Sequence, residues 1–189
     1  MASEETTSGG PVTATTRLRL VALDHRLARM QLDDRKGFFR ALNVQAEAAW
    51  PPPLNNSESM AHTRDRLAAN PHEAGWHGWV FIMRWADDVA GRIVGNGGFY
   101  GPPDADGKVE IGYSMLPSFR EQGLATEAVQ GLAGWAFAQP GVKEIRAHTQ
   151  VSATASRRVL EKSGFAFTGE ASDPEAGPLA VYTLTRKAG

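Results

Sequence analysis

The sequence predicts an α/β (α+β) protein, a mixed, mostly antiparallel sheet of about seven strands flanked by about four helices. Three observations point there. Runs such as RLRLVA (Arg17 to Ala22) and VEIGYSM (Val109 to Met115) alternate with the period of a strand, the stretch from Ala125 to Ala138 repeats with the period of a helix, and Gly, Pro, Asn and Asp separate such runs. With 189 residues, 42% of them hydrophobic, the chain can bury one good core, so one domain over 17–187 is expected. Residues 1–16, MASEETTSGGPVTATT, are small, polar and acidic and are expected to be a disordered tail.

The elements follow in order. RLRLVA is the first strand. From Asp24 to about Asn43 the pattern turns helical through Leu27, Met30, Phe38, Phe39 and Leu42, and a break near Gly37 suggests two short helices. Trp50-Pro51-Pro52-Pro53 cannot continue a helix and reads as a loop, after which Asn56-Ser57 offers caps for a helix ending near Asn70-Pro71. WVFIMRW and RIVGNGGFYG, joined by ADDVAG, form a hairpin, and VEIGYSM adds a third strand. A long helix, the strand KEIRAHTQ, a short helix closed by Gly164, and the strand pair FAFTG and AVYTLT complete the chain.

Composition narrows the function. A formal net charge of -1 supplies no basic excess for gripping a nucleic acid. With no cysteine, disulfides, thiolate zinc sites and cysteine acyl-enzymes are excluded. No export signal is visible and no apolar run approaches the ~20 residues that span a bilayer, so a cytoplasmic protein with no membrane partner is expected. The five histidines show no metal-binding spacing, and no metal is expected. GPPDADGK (Gly101 to Lys108) has the wrong spacing for a Walker loop and is too short for a calcium loop, so it reads as a hairpin turn. GNGG (Gly95 to Gly98) reads as a bulge or a close approach of another backbone.

The chemistry concentrates in VEIGYSMLPSFREQGLATEA, where a strand breaks at Pro117 and leads straight into a helix start. A helix start leaves four N–H groups unpaired and carries a partial positive charge, and Gly123 and Ala125 keep side chains out of an anion's way. Thr126 adds a hydroxyl, and Arg120 adds a full charge on the same loop.

The spacing Arg120-x-x-Gly123-x-Ala125 resembles the pyrophosphate loop of the GNAT acetyltransferase superfamily. VEIGYSM before it and ASRRVLEKSGF about thirty residues after it fall where that family places its cofactor strand and second cofactor helix. The resemblance spans the chain after the tail and is closest to the branch of ribosomal-protein N-terminal acetyltransferases. It implies an acetyl-CoA-dependent N-acetyltransferase that works by direct attack in a ternary complex. Arg120, Gln122, Gly123, Leu124, Ala125 and Thr126 would hold the pyrophosphate. Pantetheine would lie between strands that splay near Met115 and His148, and the Met115 and Leu116 backbone N–H groups would face the thioester and hold the oxyanion.

The attacking amine must be neutral. An α-amine near pKa ~7.7–8 meets that need far more cheaply than a lysine near ~10.4. Glu110, on the strand beside the thioester position, is the candidate base, directly or through a water; a surface carboxylate is the plain alternative. Leu160 stands where many relatives place a tyrosine acid, and Ala153 where many have Asn. Ser156 matches a serine of the ribosomal-protein branch and takes the acid role here, with an ordinary helix-start serine as the plain alternative. Glu121 sits where the family commonly has Gly or a basic residue. These departures motivate an alternative, a non-catalytic acyl-CoA-binding module. The acceptor would be a protein N-terminus or a small-molecule amine, with Trp50, Trp76 and Trp79 as groove candidates, and the resemblance allows a homodimer.

Overall fold

The computed structural model describes residues 9–84 and 90–186. Nine strands make up one sheet: β1 (Val12–Ala14), β2 (Leu18–Ala22), β3 (Val44–Gln45), β4 (Gly78–Met83), β5 (Gly91–Phe99), β6 (Lys108–Met115), β7 (Glu144–Gln150), β8 (Ala166–Asp173) and β9 (Gly177–Thr185). The sheet order is β1-β2-β4-β5-β6-β7-β9-β8, with β3 pairing β5 off this path. All neighbours are antiparallel except β6 with β7 and β3 with β5. Among the described residues five α-helices accompany it: α1 (His25–Asp33), α2 (Arg35–Ala41), α3 (Ser57–Ala69), α4 (Leu124–Ala138) and α5 (Thr154–Lys162).

Strand alternation splits the core into two layers. Leu20 and its cross-strand partner Phe81 face α4, where Gly131 packs so closely that a Cβ there would come within 2.7 Å of Leu20 Cδ1. Ala128, Val129, Leu132, Ala133 and Ala136 bury the same side of α4, and each larger side chain removed from water contributes about 1.5–3 kcal/mol. The opposite face lies under α1 and α3, where Thr63 of α3 approaches Gly78. No helix among the described residues is long and apolar enough to cross a membrane.

Three expectations need revision. The first helical stretch breaks at Asp34, not Gly37. The Asp34 N–H closes α1 on the Met30 carbonyl, and its carboxylate accepts the Gly37 N–H to start α2. Gly37 lies inside α2, where a Cβ would strike the Asp34 carboxylate at 2.1 Å. Part of the expected tail is instead an edge strand, because Val12–Ala14 pairs with Val21, Leu20 and Arg19; residues 1–8 lie outside the described residues. The third revision is the strand count, raised by β1 and the two-residue β3. The ADDVAG turn falls largely outside the described residues.

The segment after β1 is tied to the first turn of α4. Glu127 accepts from Thr15 Oγ1 at 2.5 Å, from the Arg17 backbone N–H at 2.6 Å and from Arg17 Nε at 2.7 Å. Burial by itself would raise this carboxyl, but the hydrogen bonds outweigh it and hold its pKa below the usual 4.5. A depressed carboxylate stabilises the fold at pH above its ordinary value, and that contribution is lost as pH falls through the lower, folded value. Glu127→Gln is therefore expected to lower stability by about 1.5–3 kcal/mol at pH 7, with the gap to wild type closing below about pH 4.5. Thermal unfolding at pH 7 and in this acid range checks it.

Candidate active site

The sheet opens between its two central parallel strands. β6 and β7 pair through Lys108↔Glu144, Val109↔Ile145 and Glu110↔Arg146 and then separate. On its other edge β6 stays paired with β5 from Ile111 to Met115. Hydrogen bonds alternate along an antiparallel ladder, and here Tyr100 N–H bonds to the Glu110 carbonyl and Leu116 N–H to the Val94 carbonyl at 2.9 Å. That phase turns the backbone N–H groups of Tyr113 and Met115 away from β5, toward the gap. The expectation that the Leu116 amide faces a thioester is therefore corrected, since Val94 occupies it.

Just beyond β6, a short 3-10 turn, Pro117–Phe119, leads to the loop that starts α4. Glu121 (φ 60°) and Gly123 (φ 74°) both adopt left-handed backbone there, and no side chain caps α4. Alternation of this kind folds successive N–H groups into a concave nest. Among the described residues, the N–H groups from Glu121 to Thr126 donate to no protein acceptor. Arg120 and Glu121 are exposed, and Arg120 makes no ion pair among the described residues. A second cation comes from outside the loop: Arg17 Nη1 donates to the Gln122 carbonyl at 2.9 Å, and Arg17 Nη2 lies 3.4 Å from where a Gly123 Cβ would stand. Leu124 buries its side chain in the core, so its contribution to the loop is its backbone.

Two side-chain pairs flank the gap. Where β6 and β7 part, Glu110 Oε1 lies 3.0 Å from His148 Nδ1, on the α3 side of the sheet. On the α4 side, the Tyr113 hydroxyl lies 3.1 Å from both the Ser156 carbonyl and Ser156 Oγ. Burial pushes the Tyr113 phenol up to about 12, with the Ser156 bond pulling the other way, so it stays protonated at neutral pH. Leu160 is buried at 1% exposure and serves the core, and Ala153 begins α5 without a side-chain cap.

A cavity of about 650 Å³ opens beside these groups on the α3 side, bordered by Ser114, Gly112, Tyr100, His77, Asn96 and Asn55. Its rim is a strap. Asn55 and Asn96 exchange hydrogen bonds at 3.2 and 2.9 Å, and Ser114 Oγ donates to the Pro53 carbonyl at 2.8 Å. Among the described residues, no lysine or arginine lines the cavity. Of the three tryptophans expected at this groove, Trp50 and Trp76 do not line it, and Trp79 borders it fully buried with its indole N–H bonded to the Gly75 carbonyl.

The remaining motifs resolve as structure. Asp104 Oδ1 accepts the N–H groups of Asp106 and Lys108, each at 2.9 Å, closing the turn before β6. The register shift opposite Phe81 and Ile82 places a bulge beside Gly95, and a Cβ at Gly95 would meet the Ser114 carbonyl at 2.6 Å, so both readings of GNGG apply. His148 is expected from the sequence only as a marker of the splayed strands, and its pairing with Glu110 was missed, as were Tyr113 and Arg17; each is brought in by strand register or by the chain start, with no local signal.

Comparison with known proteins follows the same lines. The family model described as Acetyltransferase (GNAT) domain matches residues 25–166. An uncharacterized N-acetyltransferase of Bacillus subtilis (strain 168), YjdG, is 32% identical over 154 residues, covering 80% of this chain and 87% of that one. Among solved structures, the acetyl transferase of Salmonella typhimurium that modifies the N-terminal serine of 50S ribosomal subunit protein L7/L12 superposes with a TM-score of 0.64 at 16% identity, over 94% of this chain and 100% of that one. RimL, a ribosomal L7/L12 α-N-protein acetyltransferase solved in complex with coenzyme A, gives a TM-score of 0.64 at 16% identity, over 93% and 98%. At such identities these two likenesses show a common fold.

Proposed function

The chain belongs to the GNAT acetyltransferase family, and from that premise we propose which of its residues bind acetyl-CoA, which move protons, and which amine it acetylates. The activity is that of an N-acetyltransferase, with acetyl-CoA as the acetyl donor. Bound acetyl-CoA supplies an acyl group activated as a thioester.

One observation carries the binding assignment: the run of N–H groups from Glu121 to Thr126 without a protein acceptor, at the positive end of α4. A pyrophosphate suits that nest, because its oxygens accept several N–H bonds at once and its charge is favoured by the helix dipole. Arg120 adds a charge-assisted contact, and Arg17, braced by Glu127, holds the Gln122 carbonyl away from the anion's side. Gln122 and Thr126 contribute backbone donors, and Ala125 leaves the approach clear.

The catalytic groups divide by face. Glu110 holds the Nδ1 proton of His148, which leaves His148 Nε2 to take a proton from an ammonium arriving through the groove. The Met115 N–H, turned into the gap, supports negative charge developing on the acyl oxygen, a contribution usually worth about 2.7–4 kcal/mol per donor. Ser156, positioned by Tyr113, donates to the departing sulfur.

The acceptor is a protein N-terminal amine. A free amino acid or a nucleotide brings a carboxylate or phosphate, and a groove with no lysine or arginine among the described residues gives it no permanently cationic partner. A peptide N-terminus is neutral beyond its amine. Acetyl transfer followed by free-thiol release tests this with peptide amides, free amino acids and spermidine as acceptors. Turnover with the peptide amides is expected; turnover confined to the small molecules contradicts it.

A further inference from the structure

The groove floor is a row of glycines. Gly78, Gly98 and Gly112 lie directly opposite one another on β4, β5 and β6. None could carry a side chain freely: a Cβ at Gly98 would lie 1.8 Å from the His77 carbonyl, and one at Gly112 would lie 2.8 Å from the Tyr100 hydroxyl. Tyr100 lies over Gly112, and Leu23 and Thr63 lie over Gly78, and the cavity is bordered by this row, by Tyr100 and by His77 beside β4.

At the far end His77 is 8% exposed and borders the cavity. Its Nε2 lies 2.7 Å from Glu73 Oε2, and Arg66 Nη2 reaches both oxygens of the same carboxylate at 2.9 and 3.2 Å. Burial alone would raise the Glu73 carboxyl, yet the bonds from His77 and Arg66 prevail and keep it below its ordinary value, hence ionised. In a neutral ring, an ionised carboxylate at Nε2 holds the proton there and leaves Nδ1 as an acceptor. Nδ1 has no partner among the described residues, and the sole enclosed unpartnered side-chain atom among them is Trp50 Nε1, so Nδ1 is not sealed in, and His77 borders the cavity. A buried neutral histidine with its proton held at one nitrogen and the other unpartnered, at the wall of a cavity, is suited to accept a hydrogen bond.

Distance decides whose hydrogen bond it is. Two strand spacings separate β4 from β6, about 10 Å, so His77 cannot touch an amine held at Glu110 and His148. An extended peptide advances ~3.3–3.6 Å per residue, and about three residues cover that span. Resting on the N-terminal-amine reading above, we infer that His77, oriented by Glu73, is a specificity-determining residue that accepts a backbone N–H from the third or fourth residue of an extended acceptor peptide lying in this cavity.

The test compares a dipeptide amide with a tetrapeptide amide that starts with the same two residues, using acetyl-CoA and steady-state kinetics. The wild-type enzyme is expected to show a KM about 2- to 12-fold lower for the tetrapeptide, the range of one net hydrogen bond. His77→Gln keeps a donor for Glu73 but has no acceptor at the Nδ1 position, and it should erase that advantage through KM, with little change in kcat. A second measurement needs no variant: N-methylation of the third or fourth residue's nitrogen should raise the wild-type KM by the same factor. If both peptides are acetylated but the length preference survives in His77→Gln, or N-methylation at neither position matters, the role of His77 is overturned and the N-terminal-amine reading stands. If neither peptide is acetylated, that reading falls and the inference with it.

Discussion

Glu110→Gln is expected to lower kcat by about 10²–10⁴-fold near neutral pH, the usual worth of a positioned acid–base group. The carboxylate lies 3.0 Å from His148 Nδ1 at the point where β6 and β7 separate. Glutamine can keep a hydrogen bond to the ring but cannot balance the imidazolium that forms when His148 takes a proton. The loss should shrink as pH rises past ~8, because an α-amine is then largely neutral without help. His148→Gln should show the same pH-dependent loss, since the two residues work as one unit. A pH–rate profile for Glu110→Gln parallel to that of the wild type would remove the pair from the chemistry.

Arg120→Glu is expected to weaken acetyl-CoA binding by about 2.5–4 kcal/mol, roughly a hundredfold or more. A charge-assisted hydrogen bond contributes about 1.5–3 kcal/mol, and a carboxylate ~4 Å from a phosphate adds about 1 kcal/mol of repulsion even in water. Stability should move by less than about 0.5 kcal/mol, because Arg120 is exposed and makes no ion pair among the described residues. Calorimetric titration with thermal unfolding separates the two effects. Unchanged affinity would place the pyrophosphate elsewhere.

What the sequence disclosed depended on how local the signal was. The α4 start could be read because strand, proline, arginine, glycine and helix follow one another within a few residues, and each acts on its immediate neighbours. The break at Asp34 also has a local signal, since an aspartate that caps the N–H three residues on marks a helix start; Gly37, which reads as the breaker, is the residue it caps. Glu110 and His148 lie 38 positions apart. They meet through the parallel register of β6 and β7, which no run of residues encodes by itself. The same holds for Tyr113 with Ser156, for Arg17 beneath the Gln122 carbonyl, and for the glycines that align only once three strands have paired. The Leu116 amide was misassigned because its direction depends on the phase of the β5–β6 ladder, a property of the pair and not of either strand.

The central claim is that the amides from Glu121 to Thr126 grip the pyrophosphate. Amide hydrogen exchange across residues 117–130, measured with and without coenzyme A, tests it most directly. Protection of the Glu121 to Thr126 amides on binding is the expected result. Saturation with coenzyme A that leaves the exchange of these amides unchanged would contradict the account.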